Sequence, residues 1–414
     1  MNAEIIAIGS ELLTPFRQDT NSLYLTEQLN SLGVSVIFKT IVGDSRERLT
    51  VAAGSAISRA DVIIFMGGLG PTEDDLTREA VADALGLPLK RDPELVAALE
   101  RRFAERGYKF TPNNLQQADV IAGATVLPNP NGSAVGLWIG GKYEGREKVI
   151  ILLPGPPSEF KAMFELQCLD RLRAKLPKQA IASRVIKITG IGESQCDARV
   201  APIYKTFVDV ETTILAGASE IQLHLYAHKP SLAEAQQRVD QLVELIEEEL
   251  GPLVFSDNGD SLEQIVGYYM QMRGATLAVA ESCTGGLLAE RVTSISGSSR
   301  YFLGGAVVYS NELKTDFADV PLHMLEKHGA VSREVAAALA EGIRYRCEAT
   351  LGVGITGVAG PGGGSAEKPV GLVFHALASE QGTEVIERKF PGDRKRVRWF
   401  ATQQALDMVR RKLM

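Results

Sequence analysis

The chain has 414 residues, is 45% hydrophobic and 23% charged, and carries a net charge of -7. That length exceeds what a single growing core accommodates, so two or three domains are expected, and the acidic balance argues against nonspecific nucleic-acid binding as the main task. The amino terminus, MNAEIIAIGSELL, has an early acid and only a short apolar stretch, unlike a secretory leader, and no apolar run approaches the roughly 18 residues of a membrane span. A cytoplasmic protein with no membrane partner is expected. Cys168, Cys196, Cys283 and Cys347 are scattered singly, which suggests neither a disulfide framework nor a zinc knuckle. His224 and His228 flank a strand-like LHLYAH without an acidic ligand motif, so no catalytic zinc site is read there.

From residue 3 the pattern alternates apolar strand, turn and helix: EIIAIG, NSLYLTEQLNSLG, VSVIFKTIVGD, a helix to Arg59, then DVIIFMGG. PELVAALERRFAERG, VIILLPG and PSEFKAMFE continue it, and strict alternation predicts a parallel α/β sheet over residues 1–169. Residues 170–255 change texture. SRVIKITGIGE and SEIQLHLYAH are strand-like, and LAEAQQRVDQLVELIEEELG is helical by its spacing, giving a small α+β connecting unit bounded by KLPKQ and GPLVFSDNGD. Two strands and two helices suit a KH-like module, although Glu247-Glu248-Glu249 argues against RNA binding. Over residues 256–414 a second three-layer α/β unit follows, with helix SLEQIVGYYMQMRG, strand ATLAVAES, helix GGLLAERVTSI, strand GGAVVYS, helix REVAAALAEGIRYRC, strands TLGVGITG and VGLVFHALAS, and a closing helix from Asp393.

The stretch FMGGLGPTEDDLTREAVADALG places Gly67, Gly68 and Gly70 after a buried strand and before a helix expected to start near Thr72. Bare backbone N–H groups at a helix amino end favour a phosphate. Glu73, Asp74 and Asp75 would sit in the first helical turn, where capping accounts for one or two of them. Three acids beside a phosphate loop repel an anion unless a divalent cation lies between, so these carboxylates, with Asp44 at another strand end, are the expected Mg²⁺ or Mn²⁺ ligands. Gly9-Ser10-Glu11, Asp19-Thr20-Asn21 and Pro154 to Glu159 are expected to face the same loop, because ligands of open α/β sheets gather at the carboxyl ends of strands.

In the distal section, AVAESCTGG sets Ser282, Cys283 and Thr284 side by side at a strand–helix junction, where Gly285 and Gly286 permit close approach to the backbone. The residues alone leave the nucleophile open. GSSRYF and GGAVVYSNELK add Ser298, Ser299, Tyr309 and Lys314; taken singly these suit a turn, a strand residue and a surface helix residue. A serine beside a lysine works as a nucleophile–base pair if burial or a cation lowers the lysine pKa.

IAIGSELL, DTNS, VGD, GGLGPTEDDLTRE and PGPPSE, together with AESCTGG and GVAGPGGG, closely resemble the competence/damage-inducible CinA family across essentially the whole chain, its first section being similar to the molybdopterin-binding fold. The resemblance implies a metal-dependent ADP-ribose pyrophosphatase in the first section, a KH-type middle, a metal-free nicotinamide mononucleotide amidohydrolase (NMN deamidase) at the carboxyl end, and a homodimer serving NAD salvage. One departure is Thr14-Pro15-Phe16-Arg17 after GSELL, where the family has a Gly-containing segment. Carried over position by position, the amidase site comprises Ser282, Ser299, Tyr309, Lys314, Thr356 and an arginine of GDRKRVR. Ser299 is then expected as nucleophile, Lys314 as its base, Tyr309 as proton relay and Ser282 as a substrate or oxyanion support. For the ribose phosphate, the glycines of ITGVAGPGGGS, including Gly357 and Gly360, and Arg394 with Arg398 are expected. Two other readings stay open: a first section that only binds a pterin or nucleotide, and an interaction protein linked to DNA uptake or recombination.

Overall fold

Strands β1 (Asn2–Ile8), β2 (Ser35–Val42) and β3 (Val62–Met66), with helices α1 (Asn21–Ser31) and α2 (Arg46–Arg59) between them, begin the chain of a computed structural model that describes residues 1–143, 145–176 and 180–414. Then follow α3 (Thr77–Leu85), β4 (Leu89–Arg91), α4 (Pro93–Glu105), β5 (Asp119–Ile121), β6 (Thr125–Leu127), β7 (Gly136–Tyr143), β8 (Arg146–Leu153), α5 (Pro157–Met163) and α6 (Leu169–Lys175). The main sheet has the order β2-β1-β3-β8-β7-β6. Every residue of β3, VIIFM, is buried. Its two faces feed two cores: Ile63 and Phe65 pack with Ile6, Ile8 and Leu152, whereas Val62, Ile64 and Met66 pack with Ile5, Ala7 and Ile151. Helices on both faces of the parallel strands account for that continuous apolar run.

The sheet is mixed, which corrects the all-parallel expectation: β2, β1, β3 and β8 are parallel, but β7 runs antiparallel to β8 and β6 antiparallel to β7. Only residues 144–145 separate β7 from β8, too few for the crossover a parallel pair needs. Contacts divide the chain into Met1–Ile181 and Ala182–Met414. Phe164, Cys168 and Leu172 lie in the core of the first unit, so it continues past residue 169. Of the KLPKQ boundary, Pro177 to Gln179 lie outside the described residues.

The second unit opens within β9 (Ala180–Ile188) and continues with α7 (Glu193–Tyr204), β10 (Val210–Ala216), β11 (Ile221–Lys229), α8 (Leu232–Leu250) and β12 (Val254–Ser256). Its sheet has four strands, β10-β11-β9-β12, where two were expected. Next come α9 (Leu262–Arg273), β13 (Leu277–Glu281), α10 (Leu287–Thr293), β14 (Phe302–Val307), α11 (Asn311–Ala318), α12 (Leu322–His328), α13 (Arg333–Arg346), β15 (Leu351–Gly357), β16 (Leu372–Ser379), β17 (Gly382–Lys389) and α14 (Arg394–Leu413). The five-stranded sheet β14-β13-β15-β16-β17 is parallel over its first three strands and antiparallel over the last two. One face packs on α9 and α14 and the other on α13, giving three layers. Among the described residues no helix is long and apolar enough to cross a membrane.

Candidate functional sites

In the first unit a cavity of about 380 Å³ opens at the carboxyl ends of β1, β3 and β8. It is lined by Gly67, Gly68, Gly70, Thr72, Asp74 and Asp75 from the glycine loop, by Glu11 and Asp44 from the segments after β1 and β2, and by Glu159 from α5. The loop needs its glycines. Gly67 and Gly68 have φ of 108° and 65°, and a Cβ on Gly67 would lie 2.5 Å from the Ile8 carbonyl oxygen. Thr77 Oγ1 donates to the Gly67 carbonyl at 2.8 Å, tying the loop to the start of α3.

Helix α3 starts at Thr77, not near Thr72, so Glu73, Asp74 and Asp75 precede the helix and do not cap it. The cause is local: Thr72 donates its main-chain N–H at 2.9 Å and its hydroxyl to the Asp75 carboxylate, closing a turn after Pro71. Glu73 does not line the cavity. Asp19 accepts from the Ser22 N–H at 3.0 Å and holds the start of α1, also outside the cavity lining. Asn21 donates to the Gly155 carbonyl at 2.8 Å, binding α1 to the PGPPSE turn. Asp44 accepts from the Ser10 N–H at 2.7 Å. Among the described residues no three acidic, histidine or cysteine side chains converge to hold a metal ion. Asp44, Asp74 and Asp75 instead ring the loop separately. That suits a cation completed by a ligand's own phosphates, the usual manner for Mg²⁺. The divergent Thr14-Pro15-Phe16-Arg17 segment is at the surface, with Phe16 93% exposed.

Sequence reasoning missed Arg78, which is buried beneath this loop and donates to the Leu69 carbonyl at 3.0 Å and the Val135 carbonyl at 3.3 Å. Burial pushes its pKa down to about 10. It also missed Gln117 and Ser133, which line the cavity from the NPNGS turn and the segment before it.

In the second unit the ends of β13, β14 and β15 converge. Ser282 N–H donates to the Ile355 carbonyl at 3.0 Å and Val308 N–H to the Glu281 carbonyl at 2.8 Å, so the AESCTGG turn lies between the two flanking strand ends. Glu281, 1% exposed, folds its carboxylate back onto the start of α10 and accepts from the N–H groups of Gly286, Leu288 and Ala289 at 3.0, 3.0 and 2.8 Å. The helix amino end therefore already holds an anion from the protein itself. Nothing in the sequence reading marked Glu281, although an acid closing a four-residue apolar strand was a signal for a satisfied internal charge.

Lys314 is 1% exposed, which overturns its reading as a surface residue. Its ammonium donates to the carbonyls of Val308, Tyr309 and Ser310 at 2.9, 3.3 and 3.4 Å. Burial lowers its pKa, opposed by the neighbouring Cys283 and Glu312. Burial also pushes the Cys283 thiol up to about 12, away from the thiolate form a nucleophile needs. Tyr309 follows β14 and is 57% exposed; its hydroxyl accepts from Arg394, which also donates to the Gly360 carbonyl at 2.9 Å. Arg398 donates twice to the Thr284 carbonyl, at 3.0 and 2.6 Å, beside Gly285. Thr356 spends its hydroxyl on the Ala330 carbonyl at 2.7 Å, and Gly357 closes β15 against Val373. Asp393 caps α14 through the Arg396 N–H at 2.8 Å, so the basic residues there need no bound phosphate to offset the helix end.

One expected pairing is not made. In the parallel register, Leu277 of β13 faces Phe302 of β14 and Glu281 faces Val307. Ser299 lies three residues before β14, at the amino edge of the sheet, whereas Tyr309 and Lys314 follow β14 at the carboxyl edge. Five residue rises separate the edges, about 16 Å. The structure thus does not bring Ser299 to Lys314 within this chain, and no hydrogen bond joins them among the described residues. Ser282 shares the carboxyl edge with Lys314, and the described residues offer its hydroxyl no partner.

Residues 259–413 match the CinA C-terminal domain, 183–256 the damage-inducible protein CinA KH domain, and 4–174 the "Probable molybdopterin binding domain". The CinA-like protein of Koribacter versatilis is 62% identical over 414 residues, covering 100% of both chains. That of Acidobacterium capsulatum is 60% identical with the same coverage, and that of Solibacter usitatus is 48% identical, covering 100% of this chain and 98% of its own. A crystal structure of competence/damage inducible protein CihA from Agrobacterium tumefaciens is 41% identical over 36% of this chain and 90% of that one, with a TM-score of 0.35.

Proposed function

Since the chain belongs to the CinA family, we propose that it is a bifunctional nucleotide hydrolase whose distal unit converts nicotinamide mononucleotide to nicotinate mononucleotide and ammonia. The observation that carries this reading is Lys314, a buried lysine with a lowered pKa, at the same sheet edge as the Ser282 hydroxyl.

Ser282 is the nucleophile in this proposal, replacing Ser299. Its oxygen adds to the amide carbon while its proton passes to the neutral Lys314 amine, which first gives up its two longer carbonyl contacts. Return of that proton to the departing nitrogen releases ammonia and leaves an acyl ester. Water then adds to the ester with Lys314 as base, freeing the nicotinate carboxylate and restoring the serine. Tyr309, fixed by Arg394, presents a hydroxyl to this edge. Because Glu281 occupies the start of α10, the substrate phosphate is directed to the remaining N–H donors of Arg394 and Arg398 and to the glycine loop after Gly357.

The first unit, in the same proposal, hydrolyses ADP-ribose to AMP and ribose 5-phosphate. Asp44, Asp74 and Asp75 would hold a divalent cation against the pyrophosphate cradled by Gly67, Gly68 and Gly70. Chelation separates the two activities: with EDTA, ammonia release from nicotinamide mononucleotide is expected to persist and AMP release from ADP-ribose to stop. Absence of ammonia release with and without EDTA would rule out the amidase reading.

A further inference from the structure

The second unit contains another cavity, of about 560 Å³, away from the sheet edge that carries Lys314. Its walls come from the β9–α7 turn, the β10–β11 turn, the end of β17 and the middle of α14. Trp399 Nε1 donates to the Ala218 carbonyl at 2.9 Å and Arg410 Nη2 to the Pro252 carbonyl at 2.6 Å, so polar contacts hold the two sides together.

Gln403 of α14 lines this cavity and is 3% exposed. Arg291 occupies its amide oxygen at 2.6 Å, but its Nε2 has no acceptor. A buried donor left unpaired is costly, and a ligand acceptor would satisfy it. Around it stand the features of a phosphate receiver. Helix α7, 12 residues long, starts at the cavity with Gly192 at its amino end and no side-chain cap. Gln195 Oε1 accepts from the Gly192 N–H at 3.4 Å, and the N–H groups of Glu193 and Gln195 have no acceptor among the described residues. Lys389, exposed and in no ion pair among the described residues, lines the same cavity with Arg388. Of the acids in the wall, Asp407 is paired with Arg410 and Arg411 and Glu220 with Lys187, leaving Glu193. The apolar part is aromatic: Phe390 and Phe400 stack with centroids 5.6 Å apart and planes 9° apart. Partly exposed ring surface beside an anion-binding helix end accepts a planar ring.

We infer that this cavity binds a mononucleotide, its phosphate on the amino end of α7 and Lys389, its ring on the Phe390–Phe400 stack, and one of its acceptors on Gln403 Nε2. A volume of this size falls in the range of small-ligand sites. The ligand is a free mononucleotide and not a nucleic-acid strand, because the wall offers one helix end and only Arg388 and Lys389 as cations, where a strand needs a basic track along its phosphates.

The test is calorimetric titration of the full chain with AMP, with ribose 5-phosphate as the ring-free arm and a single-stranded RNA octamer as the polymer arm. Two variants separate this cavity from the first unit and from the amidase edge: Lys389→Glu, which reverses an exposed charge, and Gln403→Glu, which keeps the acceptor for Arg291 while removing the free donor. AMP affinity is expected to fall about tenfold or more in each, with melting temperatures held, and ribose 5-phosphate to bind about tenfold more weakly than AMP. Should Gln403→Glu fail to fold, Lys389→Glu alone decides. No AMP binding at millimolar concentration, AMP binding unchanged in Lys389→Glu, or RNA held more tightly than AMP would each overturn the proposal.

Discussion

Replacing Glu281 with alanine removes the acceptor shared by three main-chain N–H groups at the start of α10. The side chain is 1% exposed, so water does not readily take its place. Each buried donor left unpaired costs about 1–3 kcal/mol, and because the three share one carboxylate their losses overlap, giving about 3–5 kcal/mol in total. For a unit of this length, at about 2–4 °C per kcal/mol, its melting transition should fall by about 10 °C. Glu281→Gln keeps one acceptor oxygen but turns an amide N–H₂ toward backbone donors, so about half the loss is expected. Calorimetry of the full chain, with ammonia release measured at 25 °C where the variants remain folded, is the assay. Because the same contacts hold the Ser282–Gly286 turn, activity should fall in both variants beyond the loss of folded protein. Melting within about 2 °C of wild type together with full activity would refute the claim that this carboxylate builds the turn.

Lys314→Arg, which keeps the charge but does not deprotonate, should lose amidase activity and with it the limb of the pH–rate profile that rises with pH as the wild-type lysine loses its proton. In wild type that limb should lie below the ordinary lysine range, because burial lowers the pKa; since the unfolded chain then holds the proton more tightly, this group's contribution to stability grows as pH rises between the folded and unfolded values. Burial pushes the Cys168 and Cys283 thiols up to about 12, so brief treatment with iodoacetamide at neutral pH should modify half-buried Cys347 first, as read by mass spectrometry; early labelling of Cys283 would contradict the packing. Asp75→Ala frees Thr72 and loosens the glycine loop, so AMP release from ADP-ribose should fall by more than about tenfold while ammonia release is unchanged.

The buried parallel strands were legible because both faces are apolar, as in VIIFM and LAVA. The strands that were missed lie at sheet edges: β10 and β17 are largely exposed, and β12, though buried, is only three residues long. Helix α3 was started too early because Thr72 and Asp75, spaced like a cap, bond to each other in a turn that precedes the helix. At the distal site, the grouping of Tyr309, Lys314, Gly360, Arg394 and Arg398 with the AESCTGG turn is visible as motifs, but the edge of the sheet on which each serine falls is not. Strand register decides that, and it places Ser282 and Ser299 at opposite ends of β13 and β14. Glu281 and Arg78 escaped notice for one reason: a charged residue in a sequence looks exposed until the main-chain partners that satisfy it are known.

Ammonia release from nicotinamide mononucleotide by wild type, Ser282→Ala, Ser299→Ala and Lys314→Ala, all in EDTA, tests the central claim most directly. The account predicts EDTA-resistant turnover in wild type and in Ser299→Ala, and its loss in Ser282→Ala and Lys314→Ala. Full activity in Ser282→Ala with loss in Ser299→Ala would contradict it and place the chemistry at the other edge of the sheet.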